Sequence, residues 1–211
     1  SNIRKFVYYL LSCNLAEIAI IFLATLMGLP TPLTAIQLLW LNLITDGAPA
    51  LALGVEKGDP DIMDRPPRPP SEPIINRRMQ IGIVVQTVAI TTITLIAYRL
   101  GLAQYPGQPE VAESMAFVAL SFSELLRAFT ARSEVYPILK VGLFTNRSMN
   151  WAVISSIVLL LAVIYVPFLQ PIFDTAPLAW SQWQYLLPLL FVPALTAELT
   201  KVFLSRRDAA V

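Results

Sequence analysis

The chain alternates between long apolar stretches and shorter polar connections. Crossing the hydrocarbon core of a bilayer takes about 20 mostly apolar residues in a helix. Six stretches satisfy this requirement, at residues 6–29, 33–55, 79–100, 112–131, 149–169 and 182–204. The pattern predicts an all-α, polytopic membrane protein with six transmembrane helices, in a single transport domain over residues 1–211 with a polar loop at 56–78.

Composition supports a membrane protein and excludes several other classes. Of the 211 residues, 56% are hydrophobic and 14% are charged, whereas soluble domains carry about 25% charged residues. The absence of histidine and the single cysteine exclude imidazole metal sites, histidine bases, internal disulfides and zinc–thiolate clusters. Acidic and basic residues balance at 14 and 15, which argues against binding of nucleic acid. The first residue is Ser rather than Met, which suggests a piece of a longer protein.

Basic residues predict the orientation, because cytoplasmic loops of membrane proteins carry most Lys and Arg. Thirteen of the 15 basic residues lie on one side of the six stretches: Arg4, Lys5, Lys57, Arg65, Arg68, Arg77, Arg78, Arg132, Lys140, Arg147, Lys201, Arg206 and Arg207. The three connections on the other side, at 28–32, 101–111 and 170–181, contain none. We therefore expect both termini to be cytoplasmic.

Three carboxylates lie at a similar depth inside the predicted helices. Glu17 and Glu124 are each 11 residues from the outer end of their helix, hence about 16 Å deep at a rise of ~1.5 Å per residue. Asp46 lies about 21 Å deep by the same rise. These depths are near the midplane of a roughly 30 Å core. Ionisable residues there are costly, so they indicate a functional site.

Neutral oxygen-bearing side chains accompany these carboxylates. Asn14 is one helical turn from Glu17, and Asn42 and Thr45 share a helix face with Asp46. Calcium takes 6–8 oxygen ligands of this kind in flexible geometry. The predicted metal ligands are Asn14, Glu17, Asn42, Thr45, Asp46 and Glu124. Gly47 and Pro49 predict that the second helix is unwound near Asp46-Gly47, which would free backbone carbonyls for an ion.

Structural roles are the alternative for each of these residues taken singly. One Asn or Thr in a membrane helix often serves only as an interhelical contact. Cys13 is interpreted as a small apolar filler. Glu198, three residues before Lys201, is expected to form a structural ion pair.

Three motifs resemble those of P-type cation-transporting ATPases. They run over residues 12–17 (Ser-Cys-Asn-Leu-Ala-Glu), 37–54 (including Asn-Leu-Ile-Thr-Asp-Gly-Ala-Pro) and 61–68 (Asp-Ile-Met-Asp-Arg-Pro-Pro-Arg). The chain is most similar to the calcium pumps of the sarcoplasmic-reticulum type, and the likeness covers the last six of their ten membrane helices. In that family, the residues matching the six predicted ligands bind two calcium ions.

The resemblance implies an ATP-driven pump that exports calcium from the cytoplasm, with protons carried in the opposite direction. Mg-ATP would act only in the full-length protein, because this chain lacks the phosphorylation motif and holds no catalytic residue. Its partners would be the lipid bilayer, the missing N-terminal helices, and the actuator, phosphorylation and nucleotide domains of the same pump. The loop at 56–78 would contact the phosphorylation domain, and the fragment alone would be catalytically silent.

One residue departs from the family pattern. Arg127 stands where the sarcoplasmic-reticulum pumps have a neutral residue, one turn from Glu124. It would pair with Glu124, pair with Glu198, or extend to the cytoplasmic face. We expect Arg127 to lower occupancy of the ion site that uses Glu17 and Glu124.

Other functions remain open from the sequence. A P-type pump for manganese, sodium or protons has similar ligands, because oxygen donors alone do not select the metal. A stand-alone secondary cation transporter or channel, or a structural membrane module, are further alternatives. The short outer loops favour a microbial plasma membrane.

Overall fold

The computed structural model describes residues 2–59 and 72–208, which form helices and connecting turns. The helices are α1 Asn2–Leu26, α2 Ala35–Trp40, α3 Gly47–Gly54, α4 Arg77–Gln104, α5 Pro109–Thr130, α6 Ile138–Val141, α7 Arg147–Tyr165, α8 Gln170–Phe173, α9 Trp180–Leu190 and α10 Val192–Asp208. The described residues are thus all-α, as predicted. The predicted motif at residues 61–68 and most of the loop at 56–78 lie outside the described residues.

Five helical stretches in the described part of the chain are long and apolar enough to cross a membrane. They are Asn2–Leu26, Ala35–Gly54, Arg77–Gln104, Arg147–Tyr165 and Trp180–Arg207. These five correspond to five of the six predicted spans, with ends that differ by a few residues. The last is divided into α9 and α10 near Pro193, because proline has no N–H to continue the helical hydrogen bonds.

The remaining predicted span, residues 112–131, corresponds to α5. Its three ionisable residues, Glu113, Glu124 and Arg127, make it less apolar than the other five. Yet α5 is the most enclosed helix, with 16 of its 22 residues buried. It packs against α1, α3, α4, α7, α9 and α10. A helix covered on all sides by protein can carry charge that a lipid-facing helix cannot.

The second span, Ala35–Gly54, contains a wider π-helical turn at the predicted break and is not unwound there. A π-helical turn, Leu41–Thr45, joins α2 to α3, and the Asp46 N–H donates to the Leu41 carbonyl at 2.8 Å. Pro49 cannot donate to the carbonyl four residues earlier, that of Thr45. The π turn accommodates this defect within a continuous path, and Asp46 keeps right-handed helical dihedrals (φ −91°, ψ −36°). The predicted unwinding is therefore corrected to a π-helical bulge.

Helices α4 and α5 approach closely at Gly101. A methyl group there would lie 2.5 Å from the Ala112 Cα and 2.8 Å from its Cβ. We expect Gly101→Ala to force the two helices apart and to lower the free energy of unfolding by about 1–3 kcal/mol. Thermal unfolding of the purified protein in detergent measures this change. Gly54→Ala is the matched control, since no atom lies within 4 Å of the added methyl group, and an equal loss in both variants would contradict the prediction.

Candidate functional site

Helix α1 and the π turn bring Glu17 and Asn42 together. The Asn42 side-chain amide donates to both Glu17 carboxylate oxygens, at 3.0 and 2.8 Å, and also to the Leu38 carbonyl at 3.0 Å. Glu17 is 8% exposed. Because Asn42 uses its nitrogen as the donor, it orients the Glu17 carboxylate and leaves its own side-chain oxygen for another group.

Asp46 is fully buried at the junction between the π turn and α3. The Tyr9 hydroxyl of α1 donates to Asp46 Oδ1 at 2.7 Å. Among the described residues, none bonds to Asp46 Oδ2 or to the Thr45 hydroxyl. The break in the second span thus places Asp46 beside α1, with one oxygen anchored and the other unpartnered.

Glu124 reaches the same place from α5. It is fully buried, and both of its carboxylate oxygens lack a hydrogen-bond partner within residues 2–59 and 72–208. One carboxylate oxygen of Glu124, one of Asp46 and the Cys13 sulfur all lie within 4.8 Å of one another. The structure therefore brings α1, the second span and α5 together at a single buried point.

Buried oxygen atoms without partners define what this site can do. Five such atoms belong to predicted ligands, namely Asn14 Oδ1, Thr45 Oγ1, Asp46 Oδ2, Glu124 Oε1 and Glu124 Oε2. Leaving buried carboxylates unpaired costs several kcal/mol each, unless a cation binds or the carboxylates take up protons. Oxygen atoms of this kind suit a hard cation, and carboxylates without a cation can instead take up protons.

Sequence reasoning missed two residues of this site. Tyr9 bonds to Asp46, and Cys13, interpreted as an apolar filler, has its sulfur beside two carboxylates. A signal was present, because Tyr9, Cys13 and Glu17 are spaced four residues apart and so share one face of α1.

Arg127 does not pair with either carboxylate proposed for it. It is 1% exposed, and its guanidinium donates to the hydroxyls of Ser12 and Thr130, both at 3.1 Å. It also stacks on the Tyr8 ring at 4.2 Å. In the part of the chain that the structure describes, no carboxylate lies within ion-pair distance of it. The proposed ion pairs and the proposed extension to the surface are therefore wrong. The guanidinium instead binds inside the protein, where α1 provides the Ser12 hydroxyl and the Tyr8 ring.

Glu198 forms the structural ion pair that the sequence predicts. Its carboxylate lies 2.8 Å from the Lys201 ammonium, three residues later on α10. The other Glu198 oxygen accepts from the Ile138 N–H at 2.8 Å. Glu198 therefore anchors the start of α6 and is separate from the carboxylates of Asp46 and Glu124.

Comparison with known proteins agrees with these observations. Residues 30–203 match the family described as "Cation transporting ATPase, C-terminus". The chain is 38% identical to the calcium-transporting ATPase of Bacillus subtilis over 91% of its own length and 22% of the relative's. It is 36% identical to calcium-transporting ATPase 1 of Bacillus cereus over 95% of this chain and 24% of the relative. It is also 36% identical to human calcium-transporting ATPase type 2C member 1, over 95% of this chain and 22% of the relative. The chain thus spans about a quarter of the length of the curated relatives it matches.

Proposed function

The chain belongs to the P-type cation-transporting ATPases, and from that premise we propose that it forms the cation-binding and translocation part of an ATP-driven calcium pump. The observation that carries the proposal is the set of five buried, unpartnered oxygen atoms on Asn14, Thr45, Asp46 and Glu124. Only oxygen atoms are unpartnered on these ligands, and calcium prefers oxygen ligands. Glu17 and Asn42 complete the proposed set of six.

Six membrane crossings with both termini in the cytoplasm are part of this proposal. The sixth crossing is α5, which is enclosed by six neighbouring helices. The positions of 13 basic residues on one side support this orientation. With α5 spanning the membrane, Glu124 reaches the same depth as Glu17 and Asp46.

Proton countertransport follows from the same carboxylates. When the cation leaves, Asp46 and Glu124 remain buried without a positive partner, and protonation removes the cost of their charge. Protons bound at this stage leave on the cytoplasmic side when calcium binds again. Each cycle then moves calcium out of the cytoplasm and protons in.

The chemical energy comes from elsewhere in the proposed pump. Mg-ATP, the phosphorylation, nucleotide and actuator domains and the N-terminal membrane helices are assigned to the full-length protein, because the relatives are longer than this chain. The chain itself contributes no catalytic residue to phosphorylation. A microbial plasma membrane is the proposed location.

Arg127 limits how many cations the site holds. Its charge is fixed beside Ser12, the neighbour of Cys13, and a second divalent cation nearby would be repelled in this weakly polar environment. We therefore propose that the site using Glu17 and Glu124 is incompletely occupied.

Calcium uptake into vesicles that contain the intact pump tests the proposed function. Uptake is expected to require Mg-ATP and to transfer one calcium ion for each ATP hydrolysed. Uptake without ATP would instead indicate a secondary transporter. ATP-driven uptake of manganese or sodium but not calcium would indicate another substrate, and no cation flux under any condition would indicate a structural module. Two calcium ions per ATP would contradict only the role of Arg127.

A further inference from the structure

Cys13 places a soft sulfur ligand beside the hard carboxylate ligands of Asp46 and Glu124. Its sulfur and one oxygen each of Asp46 and Glu124 lie within 4.8 Å of one another, and all three residues are fully buried. Cys13 is a free thiol and is the only cysteine of a chain that has no histidine. Calcium makes no use of a thiol, because it is a hard cation. The sulfur therefore adds a ligand that the proposed calcium site does not need.

Both carboxylates have oxygen atoms available to bind an ion beside the sulfur. Asp46 Oδ2 and both oxygens of Glu124 are without hydrogen-bond partners among the residues that the structure describes. Tyr9 holds the other Asp46 oxygen at 2.7 Å, so that Asp46 stays in place when its free oxygen binds a ligand. Rotation of the Glu124 carboxylate breaks no hydrogen bond, and Asp46 can keep the bond from Tyr9 while its second oxygen binds an ion.

The spacing suits a small thiophilic ion after a modest contraction. Zinc binds sulfur at about 2.3 Å and oxygen at about 2.0–2.2 Å, so its tetrahedral ligands lie roughly 3.5 Å apart. The observed limit of 4.8 Å is about 1 Å longer than that separation, a distance that side-chain rotation covers. Cadmium forms longer bonds to the same ligands and needs less movement.

Charge balance also favours a divalent cation. A thiol that coordinates a metal gives up its proton, so the S–H bond breaks and the proton passes to solvent. One thiolate and two carboxylates then carry three negative charges against two positive charges on the ion. The buried guanidinium of Arg127, bound to Ser12 next to Cys13, offsets the remaining negative charge.

We propose that Cys13, Asp46 and Glu124 form a mixed thiolate and carboxylate site that binds thiophilic divalent cations of the cadmium and zinc class, in competition with calcium. This inference rests on the proposed calcium site, because the two sites share Asp46 and Glu124. Thiophilic ions would accordingly inhibit calcium transport or pass through the same pathway.

Cadmium binding to the intact protein in detergent tests the inference, with Cys13→Ser as the variant. The difference spectrum between wild type and variant isolates the thiolate-to-cadmium charge-transfer absorption in the ultraviolet. Loss of a supporting partner at a metal site costs about 10–100-fold in affinity, so loss of the sulfur ligand should weaken cadmium binding by at least about tenfold. Calcium affinity should fall much less than cadmium affinity, since serine has a volume close to that of cysteine and calcium does not use sulfur.

The outcomes separate this inference from the proposed function. Unchanged cadmium affinity in Cys13→Ser, or the absence of a charge-transfer signal in the wild type, would overturn the inference. A parallel loss of calcium and cadmium affinity would also overturn it, because Cys13 would then act only in packing. Failure of the wild type to bind calcium would instead overturn the proposed function, and the cadmium signal could still be measured. Asp46→Asn should weaken the binding of both ions.

Discussion

Replacing Asp46 by Asn is expected to weaken calcium binding by about a hundredfold or more, which corresponds to ~3 kcal/mol. Asparagine keeps the size of the side chain and an oxygen that can accept the Tyr9 hydroxyl hydrogen bond. It removes the negative charge, and calcium affinity depends on the number of charged ligands. Equilibrium calcium binding to the intact protein in detergent measures the change.

Asp174→Asn provides the matched control for this substitution. Asp174 is exposed, is remote in sequence from the site, and adopts a left-handed conformation (φ 50°, ψ 50°) that asparagine tolerates well. We expect this variant to bind calcium as the wild type does. Calcium-dependent phosphorylation of the intact pump by ATP should be lost in Asp46→Asn and retained in Asp174→Asn. Near-normal binding by Asp46→Asn would show that the unpartnered oxygens are not calcium ligands, and would favour a structural role for the chain.

The common level of the carboxylates could be predicted from the sequence, whereas the neighbours of each residue could not. The rise of a helix is nearly constant, so that counting residues places Asp46 and Glu124 at a similar level, and the structure brings them together. The rotation of each helix about its axis depends on packing between segments that are distant in sequence. Cys13 was therefore interpreted as an apolar filler, although α1 turns its sulfur toward both carboxylates.

Arg127 illustrates the same difference between local and distant contacts. Its spacing from Glu124 made an ion pair within α5 one of three predicted arrangements, but its guanidinium bonds to Ser12, 115 residues earlier in the chain. Sequence spacing identifies which partners a side chain can reach on its own helix. It does not reveal that α1 presents a hydroxyl and an aromatic ring at the same height.

The break in the second span was located correctly, but the predicted unwinding was wrong. Gly47 and Pro49 indicate where α-helical hydrogen bonding fails, because proline lacks a donor. Whether the chain then unwinds or forms a π turn depends on what the surrounding helices allow. Here, the hydrogen bond from Asp46 N–H to the Leu41 carbonyl maintains the backbone path, and Asp46 still faces α1.

A buried ion pair between Glu56 and Arg132 connects the ends of α3 and α5. Arg132 Nε and Nη2 lie 2.8 and 3.0 Å from the two Glu56 oxygens, and both side chains are almost completely buried. The Asn146 amide donates to Glu56 Oε2 at 2.7 Å. These contacts join the segment after α3 to the segment after α5 and to the start of α7. The ion pair therefore fixes the end of α3 relative to α5, the helix that carries Glu124.

The pH dependence of stability should reveal this ion pair. Burial alone would raise the pKa of Glu56, but the hydrogen bonds from Arg132 and Asn146, with the charges of Arg132 and Lys5, hold the pKa below its ordinary value. Because the folded pKa is below the unfolded pKa, the ionised carboxylate stabilises the protein at neutral pH. This stabilisation is lost as the pH falls through the folded pKa.

Glu56→Gln should therefore lower the free energy of unfolding at pH 7 by about 3–5 kcal/mol, since it leaves the Arg132 charge buried without a carboxylate. The difference between wild type and variant should shrink on acidification from pH 7 to about pH 3, because the Glu56 carboxylate of the unfolded wild type then takes up a proton and the advantage of the folded, ionised pair decreases. Denaturant unfolding in detergent at pH 7 and at about pH 3 measures this difference in the free energy of unfolding. Glu134→Gln is the control, since its partly exposed pair with Arg4, at 3.5 Å, contributes at most about 1 kcal/mol. A difference independent of pH would mean that Glu56 stabilises the bundle by packing and hydrogen bonding, without its charge.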